Sequence, residues 1–361
     1  MPTSHAVEDI KPPVTKIGVI GWLRANLFSS PFNSLLTIVT IYSFWKIVPP
    51  FIRWAFVDSC WNTTGAQCHA ASGACWSVIT KNIRFILFGF YPHDLQWRPL
   101  LAMLILILLL VVSRNRRYWK KPLTYSWLIG LVLMGVLMSG GVFGLAKVES
   151  TKWSGLPLTL LLSVFGLSLA YPLGVLLALG RQSKMPAIKC LCIVYIETIR
   201  GVPLISLLFM ASIIFPLFLP EGITINKILR AQVAIILFTA AYIAEVVRGG
   251  LQAIPRGQYE AAESIGLNYY QTMRLVVLPQ ALKIVIPPTV GILISAFKDT
   301  SLVVIIALYD LLKTTQATLS DPRWMGFSVE AYIFVAIIYF AGCFSMSNYS
   351  RQLERELSAG R

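Results

Sequence analysis

The stretch Glu260-Ala-Ala-Glu-Ser-Ile-Gly266-Leu-Asn-Tyr-Tyr-Gln-Thr-Met-Arg-Leu-Val276-Val-Leu278-Pro279 decides how the chain is read. It is polar, and it lies between long apolar segments. Its punctuation is that of two short helices joined by a turn. Pro255 suits a first helical turn, where its missing N–H has no partner to lose. Glu260 and Glu263 are then expected early in the helix, where the dipole favours carboxylates. Ala261 and Ala262 keep one face slim, so that another protein can approach closely. Gly266 suits the left-handed stop of a helix. Asn268 is a cap for a second short helix, and Pro279 is expected to break the chain before the next apolar run. Both helices are too short and too polar to cross a bilayer.

The rest of the composition places the chain in a membrane. Of its 361 residues, 56% are hydrophobic and 13% charged, against about 45–50% and about 25% in soluble domains. Apolar runs of about 20 residues span the hydrocarbon. Eight are expected, near Ser34–Arg53, Pro99–Val112, Ser126–Ala146, Leu158–Gly180, Leu191–Leu219, Ala231–Val247, Lys283–Lys298 and Ala331–Met346. The fold class is therefore an all-α membrane protein of about eight transmembrane helices. The net charge of +15 divides unevenly between the two sides. With the N-terminus inside, 18 Lys and Arg fall in inner segments and 11 in outer ones. The positive-inside rule then puts both termini and the Glu260 loop in the cytoplasm. The basic charge is a topological signal of this kind and calls for no nucleic acid. Residues 1–31 read as a cytoplasmic tail, with Pro12, Pro13 and Pro31 against any long helix. That tail lacks an apolar core, so the first span is expected to act as the insertion signal.

An outer loop, about residues 55–98, carries Cys60, Cys68 and Cys75. An outer location permits a disulfide; three cysteines allow one pair, and the spacing leaves the pairing open. His69 beside Cys68 matches no strong metal template. The basic run from Arg114 to Lys121 turns the hairpin of the second and third spans and suits anionic lipid.

From Leu156 onward the chain resembles the transmembrane domain of polar amino-acid ABC permeases. The Glu260–Pro279 stretch resembles that family's EAA loop at each fixed position, with Val276 at the usual isoleucine. Tyr195-Ile-Glu-Thr-Ile-Arg-Gly-Val-Pro-Leu204 resembles its Glu-x-x-Arg-Gly-Thr-Pro-Leu signature, with Val202 for threonine. Tyr242-Ile-Ala-Glu-Val-Val-Arg-Gly-Gly250 and Phe297-Lys-Asp-Thr-Ser-Leu302 match as well. The three additional N-terminal spans and large outer loop resemble the longer permease of general L-amino-acid importers.

The resemblance implies two parts. Residues 1–155 form a tail, a three-span extension and an outer loop. Residues 156–361 form a five-helix permease core with a cytoplasmic coupling loop at 255–279. It implies a multi-pass protein of the bacterial inner membrane. Its expected partners are a dimer of ABC ATPase subunits, a second permease, most simply a homologue forming a heterodimer, an extracytoplasmic amino-acid-binding protein, and membrane lipid. Glu260, Ala261, Ala262, Gly266, Leu278 and Pro279 would couple to the ATPase. No cofactor is expected on this chain; ATP and Mg belong to the ATPase. Two departures bear on substrate: Gly291-Ile292 stand where many relatives carry Asn-Glu, and Leu207 stands where a glutamine is common. The missing acid argues against a site dedicated to arginine or lysine.

Within the spans, a few polar residues are candidates for the transport path. Intramembrane charge is expensive and is paired or functional. Glu197 and Arg200, three apart, are placed to neutralise one another. Gly201 and Pro203 are expected to break that helix, as discontinuous helices do beside transporter sites. Glu245 and Arg248 repeat the spacing and lead into the loop, Arg248 as an anchor. Pro287, Pro288 and Gly291 are expected to interrupt the next span. Asp299 is placed to take an α-ammonium group, and Thr300 and Ser301 to donate to a carboxylate, or all three to cap the following helix. No Gly-x-x-x-x-Gly-Lys-Ser/Thr loop is present. The three histidines, at 5, 69 and 93, lie outside the core, so neither a catalytic set nor a metal site is expected. A self-sufficient ion-coupled carrier is the alternative. It would need an internal repeat and a relay of intramembrane acids, for which Glu197 and Glu245 are the candidates.

Overall fold

The computed structural model describes residues 18–358, so Pro12, Pro13 and His5 lie outside the described residues. Among those described, secondary structure is helical throughout apart from two isolated bridges. The described residues divide into two compact units, the first ending at Ser77 and the second beginning at Val78. In the first, α1 (Gly18–Asn26) precedes α2 (Pro31–Ile52), which runs on through a π-helical turn to Val57. Pro31 opens α2 rather than barring it, because a proline at the first position forfeits no bond; Ser30 Oγ accepts from Asn33 N–H at 3.1 Å. The loop beyond holds α3 (Gly65–Ala70) and pairs Cys68 with Cys75, leaving Cys60 free.

The second unit holds the remaining spans. After α4 (Ser77–Phe88) come α5 (Trp97–Ser113) and α6 (Lys121–Ser139). The third span ends at Ser139, earlier than Ala146, because Gly140 and Gly141 take φ of +64° and +81°. Arg98 Nη1 then donates to the Ala146 carbonyl at 2.7 Å and ties that loop to α5. The core proper is α7 (Gly155–Arg181), the pair α8 (Pro186–Gly201) and α9 (Leu204–Phe209), α10 (Lys227–Gln252), α11 (Arg256–Ser264), α12 (Tyr269–Gln271), α13 (Leu278–Asp299), α14 (Leu311–Leu319) and α15 (Ser328–Ser358). Seven described helical runs are long and apolar enough to cross a membrane, and eight if α8 and α9 cross as one broken span.

The centre is the seam between α7 and α10. Ala170 and Ala178 on α7 and Ala240, Ile243, Ala244 and Val247 on α10 are fully buried there. Gly174 makes the approach close: a Cβ on it would sit 2.9 Å from the Ala240 carbonyl oxygen. In lipid, where apolar surface gains nothing by association, such packing of small residues holds helices together.

Two expectations about prolines fail. Pro287 and Pro288 lie inside α13 without ending it. Pro279 does not separate the loop from its span either. Thr272–Val277 form a π-helical turn, with Leu278 N–H bonded to the Met273 carbonyl, so α12 runs into α13 as one 269–306 span. A widened turn relieves the clash of a proline ring with the carbonyl four residues back. Gln280 Nε2 also donates to the Val276 carbonyl at 3.0 Å.

Asp310 anchors the end of the bundle that joins α7, α14 and α15. It is fully buried and caps α14, accepting from Lys313 N–H at 2.9 Å and Leu312 N–H at 3.2 Å. The Tyr339 hydroxyl donates to it at 3.3 Å. Burial pushes its carboxyl up to about 6 in spite of these donors. The folded chain therefore holds a proton that the unfolded chain releases near pH 4. Stability falls as pH rises through that window and levels off above it. A rise from about 4 to about 6 corresponds to about 3 kcal/mol. Asp310→Asn is expected to remove this slope, as read from unfolding midpoints in detergent between about pH 4.5 and about pH 7.5. An equal slope in both proteins would rule Asp310 out as its source.

Candidate functional site

The loop folds as a rigid knob. Helix α11 begins at Arg256 with Pro255 at its cap position, one residue earlier than a first-turn proline. Glu260 and Glu263 therefore lie in the middle and last turns, and the helix dipole does not favour them there. Gly266 has φ +82°. Its N–H reaches the Glu263 carbonyl at 2.9 Å, and Leu267 N–H reaches Ala262 at 3.1 Å. This pair of bonds is a Schellman closure, which needs the left-handed residue. Asn268 and Gln271 then bond each other's backbone N–H at 2.9 and 3.0 Å, a reciprocal capping box that starts α12. Of the two alanines, only Ala261 faces outward. Ala262 is 2% exposed, and α11 packs against the 272–277 turn that holds the buried Met273 and Val277. Leu278 is half-buried, Pro279 is exposed, and Ile265, Tyr269 and Tyr270 stand out from the surface.

Beside the knob lies an ion cluster that spacing alone does not predict. Glu197 does not pair with Arg200; it bonds Arg181 at 2.7 Å. Arg181 also reaches Glu245 at 3.4 Å, Arg200 reaches Glu245 at 3.7 Å, and Arg248 makes a close bidentate pair with the same carboxylate. Glu245 thus gathers three guanidinium groups from α7, α8 and its own helix. All four side chains are between one-fifth and one-third exposed, whereas that of Glu197 is 54% exposed. Arg181 looks in the sequence like a topological charge just past a span. It is instead the last residue of α7, folded back onto two carboxylates. Nothing local in the sequence signals that.

The expected break is present. Val202 and Pro203 are extended, and α8 and α9 meet at 104°. Leu204 and Leu208 beyond the break share a buried cluster with Val303 and Ile306, so this segment and the 300–306 turn are packed together. Asp299 lies elsewhere, in a groove of about 420 Å³ between α10 and α13, with Thr239, Tyr242, Gly291, Ile292 and Ser295. Its side chain makes no cap on the following turn. Thr300 is fully buried, with its hydroxyl donating to the Phe297 carbonyl at 2.7 Å, and Ser301 donates to Lys298 at 2.8 Å. These two hydroxyls are therefore already committed to their own helix. Arg200, Gly201 and Pro203 do not line the groove. Of the three, Arg200 connects to it through Tyr242, whose hydroxyl donates to the Arg200 carbonyl at 3.5 Å and whose ring lies 5.6 Å beneath the Arg200 guanidinium. Tyr242 sits one turn before Glu245, on the same helix face, and joins the groove to the ion cluster.

Residues 170–359 match the family described as binding-protein-dependent transport system inner membrane component. The chain is 50% identical to the inner membrane amino-acid ABC transporter permease protein YhdY of Escherichia coli K12, over 94% of this chain and 93% of that one. It is 39% identical to the glutamate/glutamine/aspartate/asparagine transport system permease protein BztC of Rhodobacter capsulatus, over 96% and 95%. Among solved structures, an amino acid ABC transporter crystallised with histidines superposes with a TM-score of 0.50 at 32% identity, over 56% of this chain and 92% of that chain.

Proposed function

Since the chain belongs to the binding-protein-dependent transport system inner membrane component family, we propose that it is the membrane permease of an ATP-driven importer of L-amino acids. One observation carries this reading beyond kinship. The knob at α11–α12 is continuous with α13, and α13 forms one wall of the Asp299 groove. The surface that would meet an ATPase and the groove that would meet a substrate therefore lie on one helix. ATP and Mg sit on the partner ATPase, and an extracytoplasmic binding protein delivers the amino acid. A second permease, a homologue of this chain, completes the path. In this reading Glu260, Ala261 and Gly266 meet the ATPase, and Leu278 and Pro279 take part in coupling as the junction of the knob with α13. Ion coupling is less suited to this site, because Glu197 and Glu245 are both engaged by arginines.

The groove offers a carboxylate at Asp299 for the α-ammonium group and hydroxyls at Thr239 and Ser295 for the α-carboxylate, with the Tyr242 ring in its wall. These features are shared by all L-amino acids, and Ile292 adds no charge to select a side chain. The proposal is for broad specificity. It is tested in the assembled transporter by substrate-stimulated ATPase activity without the binding protein, or by direct binding. Asp299→Asn is expected to weaken every amino acid by about 10-fold or more, the range for loss of a charged hydrogen bond. Loss confined to arginine and lysine would show Asp299 reading a side chain, and no loss would remove it from the site.

The orientation proposed from the distribution of Lys and Arg places the knob and both termini in the cytoplasm. A cysteine introduced at Ser264 is expected to resist an impermeant thiol reagent in intact cells. Labelling there would reverse the topology.

A further inference from the structure

A second groove, of about 760 Å³, lies beside the knob, where the turn between α7 and α8 meets the start of α12. Its floor is apolar, with Leu179, Ile188 and Leu278 among its residues; its rim carries Lys184, Arg274, Tyr269 and Tyr270. Arg274 lies over the Tyr270 ring at 5.9 Å and donates to its hydroxyl at 3.3 Å. Among the described residues, neither Lys184 nor Arg274 has a carboxylate within salt-bridge distance. Both are exposed, as are the two tyrosines. The groove sits where α7 ends, α8 begins and the 269–306 span starts, so it lies at a boundary between hydrocarbon and water.

We infer that this groove binds an anionic phospholipid, with its phosphate at Lys184 and Arg274 and an acyl chain along Leu179, Ile188 and Leu278. The charges match an anionic head group, since basic pockets between membrane helices recognise such lipids. The tyrosines match the depth, since amphipathic rings settle at the head-group level. The floor matches the chain. An ATPase approaching from water would find the rim, but the floor belongs to residues on membrane spans. The lipid would tie the α7–α8 turn to the root of the knob.

The experiment uses the permease purified with its ATPase, with retained lipid measured by native mass spectrometry. ATPase rates are compared in nanodiscs of phosphatidylglycerol and of phosphatidylcholine. The wild-type complex is expected to retain phosphatidylglycerol. The Lys184→Gln/Arg274→Gln double variant is expected to lose about 10-fold or more of it, at roughly a fewfold per charge, and to lose the difference in rate between the two lipids. Ile188→Trp, which fills the floor and leaves both charges, is expected to lower retention as well. Unchanged phosphatidylglycerol in either variant overturns the inference. So does a double variant that sheds the ATPase while keeping the lipid, which would give the groove to the ATPase instead.

Discussion

A Glu245→Gln protein is expected to lose about 2–4 kcal/mol of stability, because removing one partner of a partly buried ion cluster strands the others. Arg181, Arg200 and Arg248 would face one another with Glu197 alone to offset them, and Glu197 touches only Arg181. Glutamine preserves size and most hydrogen-bonding capacity, so the loss reports the charge. Glu197→Gln is the control. Its side chain is 54% exposed, and an exposed pair of this kind contributes about 0–1 kcal/mol. Thermal unfolding of the purified protein, with the two variants side by side, makes the comparison. Equal destabilisation would show that Glu245 is not the centre of the cluster. Arg248→Gln combined with Glu245→Gln should recover part of the loss, since the double variant removes a stranded cation.

Gly266→Val is expected to leave the spans inserted and to weaken retention of the ATPase by roughly 5- to 30-fold. The left-handed backbone costs an L-residue about 1–2 kcal/mol, a factor of that size in an equilibrium. Sterics do not enter, because a Cβ at 266 meets nothing within 4 Å. The effect must come through the backbone at φ +82°, where the closing turn would have to open. Gly266→Asn separates the two causes, since asparagine tolerates that conformation better than a β-branched residue. Pull-down of the ATPase and uptake by cells are the measurements. A valine variant with normal retention and normal uptake would sink the assignment of this knob as the coupling element.

Legibility in the sequence follows the range of each interaction. The spans show because hydropathy is a local average; each expected run overlaps a helix of the right type. The Gly266 stop and the Asn268 cap show because both depend on residues two to five positions away. The bend at Val202–Pro203 shows for the same reason. Partner choice does not show. Glu197 and Arg200 have suitable spacing on one helix, yet each turns to a different neighbour, Arg181 on α7 and Glu245 on α10. Ala262 reads as surface because it belongs to a docking motif, but it lies on the inner side of an amphipathic helix. The failures at Pro279, Pro287 and Pro288 share one setting, the membrane-spanning run 269–306. The rule that proline ends a helix assumes water as the competitor for backbone groups. Where a π turn or neighbouring groups accommodate a missing bond within a membrane, the helix continues.

The continuity from Tyr269 to Asp299 makes a rod about 45 Å long at 1.5 Å per residue. A joint at Pro279 would have introduced slack, and the first part of any push on the knob would have gone into bending it. With no joint there, a tilt imposed at one end runs toward the groove along a single helix. What bending the helix keeps is localised by its sequence, at the 272–277 turn and at the Pro287–Pro288 pair, where missing bonds soften a helix. Under the proposed function, those two places set how much of a movement at the knob reaches Gly291, Ser295 and Asp299, like the play in a linkage.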